Sequence, residues 1–159
     1  MRRCAGWVVA ICFTAAAAAA TAATAQVDLR GVWKIVSYTR DGQPVPLEAM
    51  LIITERHFTR VLMEKGRPKF ENFNFREPDK LTPEQRRIVA ETYPRFNASA
   101  GTYRIEGNIF YFRSTAHHNP GAEGRESDRR FELKGDRLRM YARAGSGEVD
   151  ELWERIELF

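Results

Sequence analysis

The chain predicts a small, closed, antiparallel all-β barrel, and three observations lead there. Gly31-Val32-Trp33 opens a strand-like run from Val32 to Thr39, setting a glycine that lets the chain turn tightly beside an aromatic able to plug one end of a core. A matching group, Leu152-Trp153-Glu154-Arg155, stands near the other end, and its arginine can cover that aromatic. Between the two, short runs of alternating apolar and polar residues are separated by turn residues, the pattern of an antiparallel sheet with one face on a core.

Ahead of the first strand, Arg2 and Arg3 form a positive n-region, Ala5 to Ala20 is apolar and alanine-rich, and Ala23-Thr24-Ala25 fits the small-x-small rule for cleavage. The expected division is a secretory signal over residues 1–25 and a barrel domain over 26–159, with Gln26 as the first mature residue. The apolar stretch is shorter and more alanine-rich than a membrane span, which takes about 20 predominantly apolar residues. No stable membrane anchor is therefore expected after cleavage, and the mature protein is expected in the periplasm or outside the cell. Cys4 and Cys12 both fall within the signal, so the mature domain must be held by its core without disulfides. Removing the signal, which carries two arginines and no acids, lowers the formal charge from +4 to +2. Acids and bases are interspersed, so there is no long-range field for capturing nucleic acid, and no nucleic-acid partner is expected.

The elements follow in order. Asp41-Gly42 ends the first strand. Leu51 to Thr54 and His57 to Met63 form a strand pair or one bent strand, broken at Glu55-Arg56. Glu64 to Lys80 is polar and proline-interrupted, a loop carrying Phe70, Phe73 and Phe75. Thr82-Pro83-Glu84-Gln85 is a capping box with proline at the first helical position, and it opens the one helix. Ile88, Val89, Thr92, Tyr93 and Phe96 give that helix an apolar stripe expected to pack on the barrel, and Pro94 stops it. Thr102 to Glu106 and Ile109 to Ala116 flank Gly107-Asn108, a hairpin turn. Asp128 to Leu133 and Arg137 to Arg143 flank Lys134-Gly135-Asp136, with Leu138, Met140 and Ala142 on the inner face. After the linker 144–147, Glu148 to Glu157 forms the last strand.

Taken together these segments resemble the bacterial lipocalin-like domain family, within the calycin group of small barrels. The resemblance rests on Gly31-Val32-Trp33 with Ser37-Tyr38, Leu51-Ile52-Ile53-Thr54, Gly101 to Asn108, Phe131 to Leu138, and Trp153-Glu154-Arg155, in that order over nearly the whole mature chain. It implies an up-and-down barrel of about eight strands whose interior holds one small apolar molecule. It also implies that Trp33 sits at the closed end with Arg155 stacked over it. The chain departs from the family pattern at Ala49-Met50, where a glycine is usual before Leu51, and at Glu55-Arg56, where Asp-Gly is usual.

The candidate site residues each carry a structural alternative. Gly31, Trp33 and Arg155 read as a barrel-end plug rather than a ligand site, with a guanidinium over an indole contributing about 0.5–2 kcal/mol. Ser37, Tyr111, Arg113, His117 and His118 are the candidate ligand-binding residues, fixing the orientation of a molecule held by apolar surface. Strict alternation puts Ile109, Tyr111, Arg113, Thr115 and His117 on one face and Phe110, Phe112, Ser114, Ala116 and His118 on the other. Arg60, Arg104, Arg113 and Arg130 lie in strands where one or two can point inward, and an inward arginine needs a paired acid or an anionic ligand. The helix and the Phe70–Phe75 segment either lid the mouth or cap the bottom.

Adjacent strand histidines point to opposite faces and do not chelate one ion together, so no metal is assigned. There is no phosphate loop, nucleophile elbow or helical histidine pair, so no catalytic residue and no cofactor are assigned. The expected function is an exported barrel binding a small hydrophobic or amphipathic molecule. The alternatives are an isomerase- or cyclase-type enzyme on a small apolar substrate and a protein-binding module with a filled barrel.

Overall fold

The computed structural model describes residues 27–68, 77–142 and 148–159. The expected signal and its cleavage site at Ala25, the Phe70, Phe73 and Phe75 segment, Arg143 and the linker 144–147 lie outside the described residues. The described elements are β1 (Gly31–Arg40), β2 (Gln43–Pro44), β3 (Leu47–Ile53), β4 (His57–Glu64), α1 (Pro83–Thr92), β5 (Phe96–Glu106), β6 (Ile109–His117), β7 (Glu126–Lys134), β8 (Arg137–Tyr141) and β9 (Val149–Glu157). Each strand pairs antiparallel with the next in the order β2-β1-β3-β4-β5-β6-β7-β8-β9, and β1 also pairs with β9. Eight strands, β1 and β3 to β9, therefore close into an up-and-down barrel, while β2 is a two-residue flap on the end of β1.

The lower half of the barrel is filled. Trp33, Ile53, Leu138 and Trp153 have no exposed surface, and Leu51, Phe58, Phe110 and Phe131 close the gaps between them. Burying side chains of this size stabilises by roughly 1.5–3 kcal/mol each, so this cluster is what holds the sheet closed without disulfides. At the bottom Trp33 Nε1–H donates to the Leu29 carbonyl at 2.9 Å, and the Arg155 guanidinium lies 4.5 Å from the Trp33 ring centroid. Arg155 also donates to the Asp28 carbonyl at 3.2 Å, which ties the N-terminal approach to the last strand. Gly31 has φ +134°, and a Cβ there would lie 2.4 Å from the Glu157 carbonyl oxygen, so β1 and β9 could not come this close with any other residue.

Several sequence expectations shift. The helix forms as its capping box requires: Gln85 N–H donates to Thr82 Oγ1 at 3.2 Å, and Thr82 N–H donates to Gln85 Oε1 at 2.9 Å. None of its residues is buried, however, because Ile88, Val89 and Thr92 reach only a half-buried position. Phe96 leaves the stripe altogether and begins β5, which starts six residues before Thr102. Phe96-Asn97-Ala98-Ser99-Ala100 has no β-branched residue to mark it as strand, and it pairs with β4 all the same. Similarly, β3 begins at Leu47 and forms a hairpin with β4 rather than one bent strand, with Thr54 N–H donating to the His57 carbonyl at 2.9 Å.

Candidate functional site

Two register shifts decide what faces the lumen in the upper half. In β1, Ile35 pairs with Trp153 and Ser37 with Leu152, so Val36 is an extra residue. The bulge turns Ser37 to the outside and Tyr38 inward, opposite Glu151. In β6, Ser114 pairs with Gly101 and Ala116 with Ala100, so Thr115 is extra, and His117 comes opposite Ser99 on the inner face. Residues directly opposite on paired strands share a face. Leu51, Arg60, Ser99 and His117 thus form one inward row across β3 to β6.

These shifts surround the barrel mouth with polar groups. A cavity of about 140 Å³ remains there, lined by Tyr38, Arg40, Leu47, Arg60, Leu62, Glu64, Pro94, Arg95, Phe96, Asn97, Arg129 and Val149. Glu151, 1% exposed, stands below it on β9 and forms an ion pair with Arg60 that crosses the lumen from β4. Trp153 Nε1–H donates to its other oxygen at 3.1 Å. Arg129, on β7, faces the same space with its guanidinium 5.8 Å from the Phe112 ring centroid, and it donates to the neighbouring Asp128 carbonyl at 2.8 Å. Burial pushes the Arg129 guanidinium below its ordinary value, Glu151 draws it back up, and Arg60 works against it. Arg60 Nε and Arg129 Nε are both buried and have no hydrogen-bond partner among the described residues. At the rim Arg40 donates to the Tyr38 hydroxyl at 3.3 Å and reaches Glu64 at 3.8 Å. The mouth therefore gathers four guanidiniums against the carboxylates of Glu64 and Glu151.

His117 is half-buried in this wall. Burial and then the neighbouring His118 hold its imidazole below the ordinary value, with Arg60 acting in the same direction. Its Nδ1 accepts the Asn119 N–H at 2.9 Å, which leaves the Nε2 side for a proton. His118 follows just beyond the end of β6, and the two imidazoles do not diverge as strand alternation predicts: their ring centroids lie 4.7 Å apart, with the His118 ring also against Tyr93 at 5.6 Å and Phe96 at 6.1 Å. The Tyr93 hydroxyl donates to the His118 carbonyl. Tyr111 and Arg113 stand on the outside: Arg104 covers the Tyr111 ring at 4.1 Å, and Arg113 is exposed opposite Glu126. Of the five candidate ligand-binding residues only His117 lies on the inner face, and it does not share that face with Arg113. Of the four strand arginines weighed from sequence, Arg60 points inward, while Arg104, Arg113 and Arg130 are exposed. Gly31, Trp33 and Arg155 come together at the closed end.

Tyr38, Arg129 and Glu151 escaped the sequence reading. For Arg129 and Glu151 a signal existed: each sits on the apolar parity of its strand, Arg129 with Phe131 and Leu133, Glu151 with Val149 and Trp153. A charge on that parity is an inward charge. Tyr38 had no such signal, because the bulge at Val36 sets its direction.

The strand order and the closure of β1 on β9, with the Trp33–Arg155 stack at one end and the polar mouth at the other, make this a closed eight-stranded antiparallel barrel of lipocalin-like fold. Two solved structures are similar to the chain. An uncharacterized protein from Bacteroides eggerthii has a TM-score of 0.48 and 11% identity, covering 80% of this chain and 99% of its own. A lipocalin-like protein from Bacteroides uniformis has a TM-score of 0.47 and 12% identity, covering 80% of this chain and 98% of its own. No family model and no curated protein matches the chain.

Proposed function

We propose that this chain is an exported binding protein that takes a small amphipathic molecule head first into the barrel mouth, with an anionic head group on Arg60 and Arg129. The observation that carries this is a charge mismatch. Two guanidiniums face one buried carboxylate, and each keeps a buried Nε–H without a partner among the described residues. Desolvating an ion costs several kcal/mol unless a counter-charge answers it, and Glu151 is already committed to Arg60 and Trp153. A carboxylate or similar anion entering the mouth supplies the missing partner with charge-assisted hydrogen bonds. A purely apolar ligand suits the site less, since the core fills the lower barrel and five of the twelve residues lining the mouth are charged.

Native mass spectrometry of the protein purified from its own periplasm, with denaturation and identification of what is released, tests this. The expected result is an anionic amphiphile retained by the wild type and lost from Arg129→Met. Retention of a neutral or cationic molecule would overturn it. The same spectrum tests export, which the n-region, the alanine-rich stretch and Ala23-Thr24-Ala25 support. The expected chain begins at Gln26, and a full-length chain confined to the cytoplasm would contradict export.

A further inference from the structure

The barrel wall has a window beside the mouth. β1 and β3 form a ladder from Gly31 opposite Ile53 to Lys34 opposite Met50 and no further. Above it, Val45 N–H donates to the Tyr38 carbonyl at 3.0 Å. In the interval Ile35 to Ser37 of β1 is paired only toward β9, and Leu47 to Ala49 of β3 only toward β4, among the described residues. Pro44 and Pro46, which have no N–H to donate, flank Val45 and keep the chain from zipping down onto β1.

A groove of about 460 Å³ lies on this window. Its lining mixes Ile35, Leu47 and Ala49, which belong to the inner-facing set, with Val36, Met50 and Val61 from the outer face. A second groove of about 420 Å³ continues it over Tyr38 and the Pro44–Leu47 stretch. Leu47 lines the mouth cavity and both grooves, so the cationic mouth and the apolar groove share a wall. Val36, Met50 and Ile156 are each about half exposed, an uncovered apolar strip on a sheet face otherwise rich in charge. Lys34 and Lys65 edge the groove, with Glu48 as its one acid.

Resting on the mouth as an anion site, we propose that the ligand is a single-chain alkyl amphiphile whose chain leaves the mouth past Leu47, crosses the window and lies in the outer groove over Val36 and Met50. Charge complementarity and continuity select this occupant. The anion has its guanidiniums inside, the filled core gives the chain no room below, and the apolar groove opens at the only wall where β1 and β3 part among the described residues.

Isothermal titration of linear alkanoates from butanoate to dodecanoate into the mature protein tests the path. The comparison is a Met50→Gln, Val61→Thr double variant, at paired outer-face positions of β3 and β4 that line the groove and lie apart from the β1 bulge. In the wild type, affinity is expected to rise about two- to fourfold per methylene beyond hexanoate as each is taken from water. The double variant is expected to bind butanoate unchanged and dodecanoate about tenfold more weakly. Butanoate binding with no chain-length gain, or a variant that weakens both lengths alike, would overturn the window path and leave the mouth standing. Failure of every alkanoate to bind the wild type would overturn the mouth reading and the path with it.

Discussion

Arg129 occupies an inner-face position beside Phe112 and Phe131, where burial disfavours its charge and Glu151, with a smaller share from Asp128, offsets that only in part. A guanidinium stays protonated even so, since its ordinary value lies far above neutral pH. Removing it should separate binding from stability. Arg129→Met leaves Glu151 with its Arg60 partner, so the melting temperature is expected to hold or rise. Octanoate affinity is expected to fall about tenfold or more, the worth of a charge-assisted hydrogen bond of about 1.5–3 kcal/mol. Glu151→Gln acts in the opposite sense: it leaves Arg60 buried without an anion and is expected to cost about 3–5 kcal/mol of stability. Thermal melts beside octanoate titrations check both. A destabilised Arg129→Met with unchanged binding would make Arg129 a structural residue.

At the scale of elements, the two bulges set the site. A single extra residue reverses every side chain beyond it, so Val36 exchanges Ser37 for Tyr38, and Thr115 brings His117 inward. The β6 bulge depends on Gly101, where a Cβ would lie 1.9 Å from the Arg113 carbonyl oxygen. Gly101→Ala must push β5 and β6 apart and is expected to destabilise by about 1–3 kcal/mol, with the His117 resonances shifted in the NMR spectrum. An unchanged melt and spectrum would remove the glycine from this role. The same bulges explain what could be read from sequence alone. The Gly107-Asn108 hairpin and the Thr82 capping box follow from local chemistry and stand as expected. The face of Ser37 depends on pairing with β9, far away in the chain, and alternation within one strand carries no record of it.

The whole molecule divides into a packed lower half, which supplies stability, and a polar upper half held at some expense of stability. His117 couples the two to pH. Its folded value lies below the ordinary 6.5 because of burial. Between the folded value and 6.5 the unfolded chain binds the proton and the folded chain does not, so stability rises with pH across that window and is lost as pH falls through it. The wild-type melting temperature is expected to drop between pH 7 and pH 5 more than that of His117→Gln. Equal drops in both would place the loss elsewhere. Guanidinium groups do not titrate in this range, so a carboxylate ligand should stay bound down to the pH where the ligand itself protonates.

The most direct test of the central claim is a ¹H–¹⁵N NMR titration of the mature protein with octanoate, following the arginine Nε–H resonances. Arg60 and Arg129 carry the buried Nε–H groups left without partners among the described residues, while Arg113 lies exposed on the outer face. The Arg60 and Arg129 resonances are expected to move together and saturate while that of Arg113 stays fixed. Resonances of Arg60 and Arg129 that remain in place at saturating octanoate would contradict an anion site in the barrel mouth.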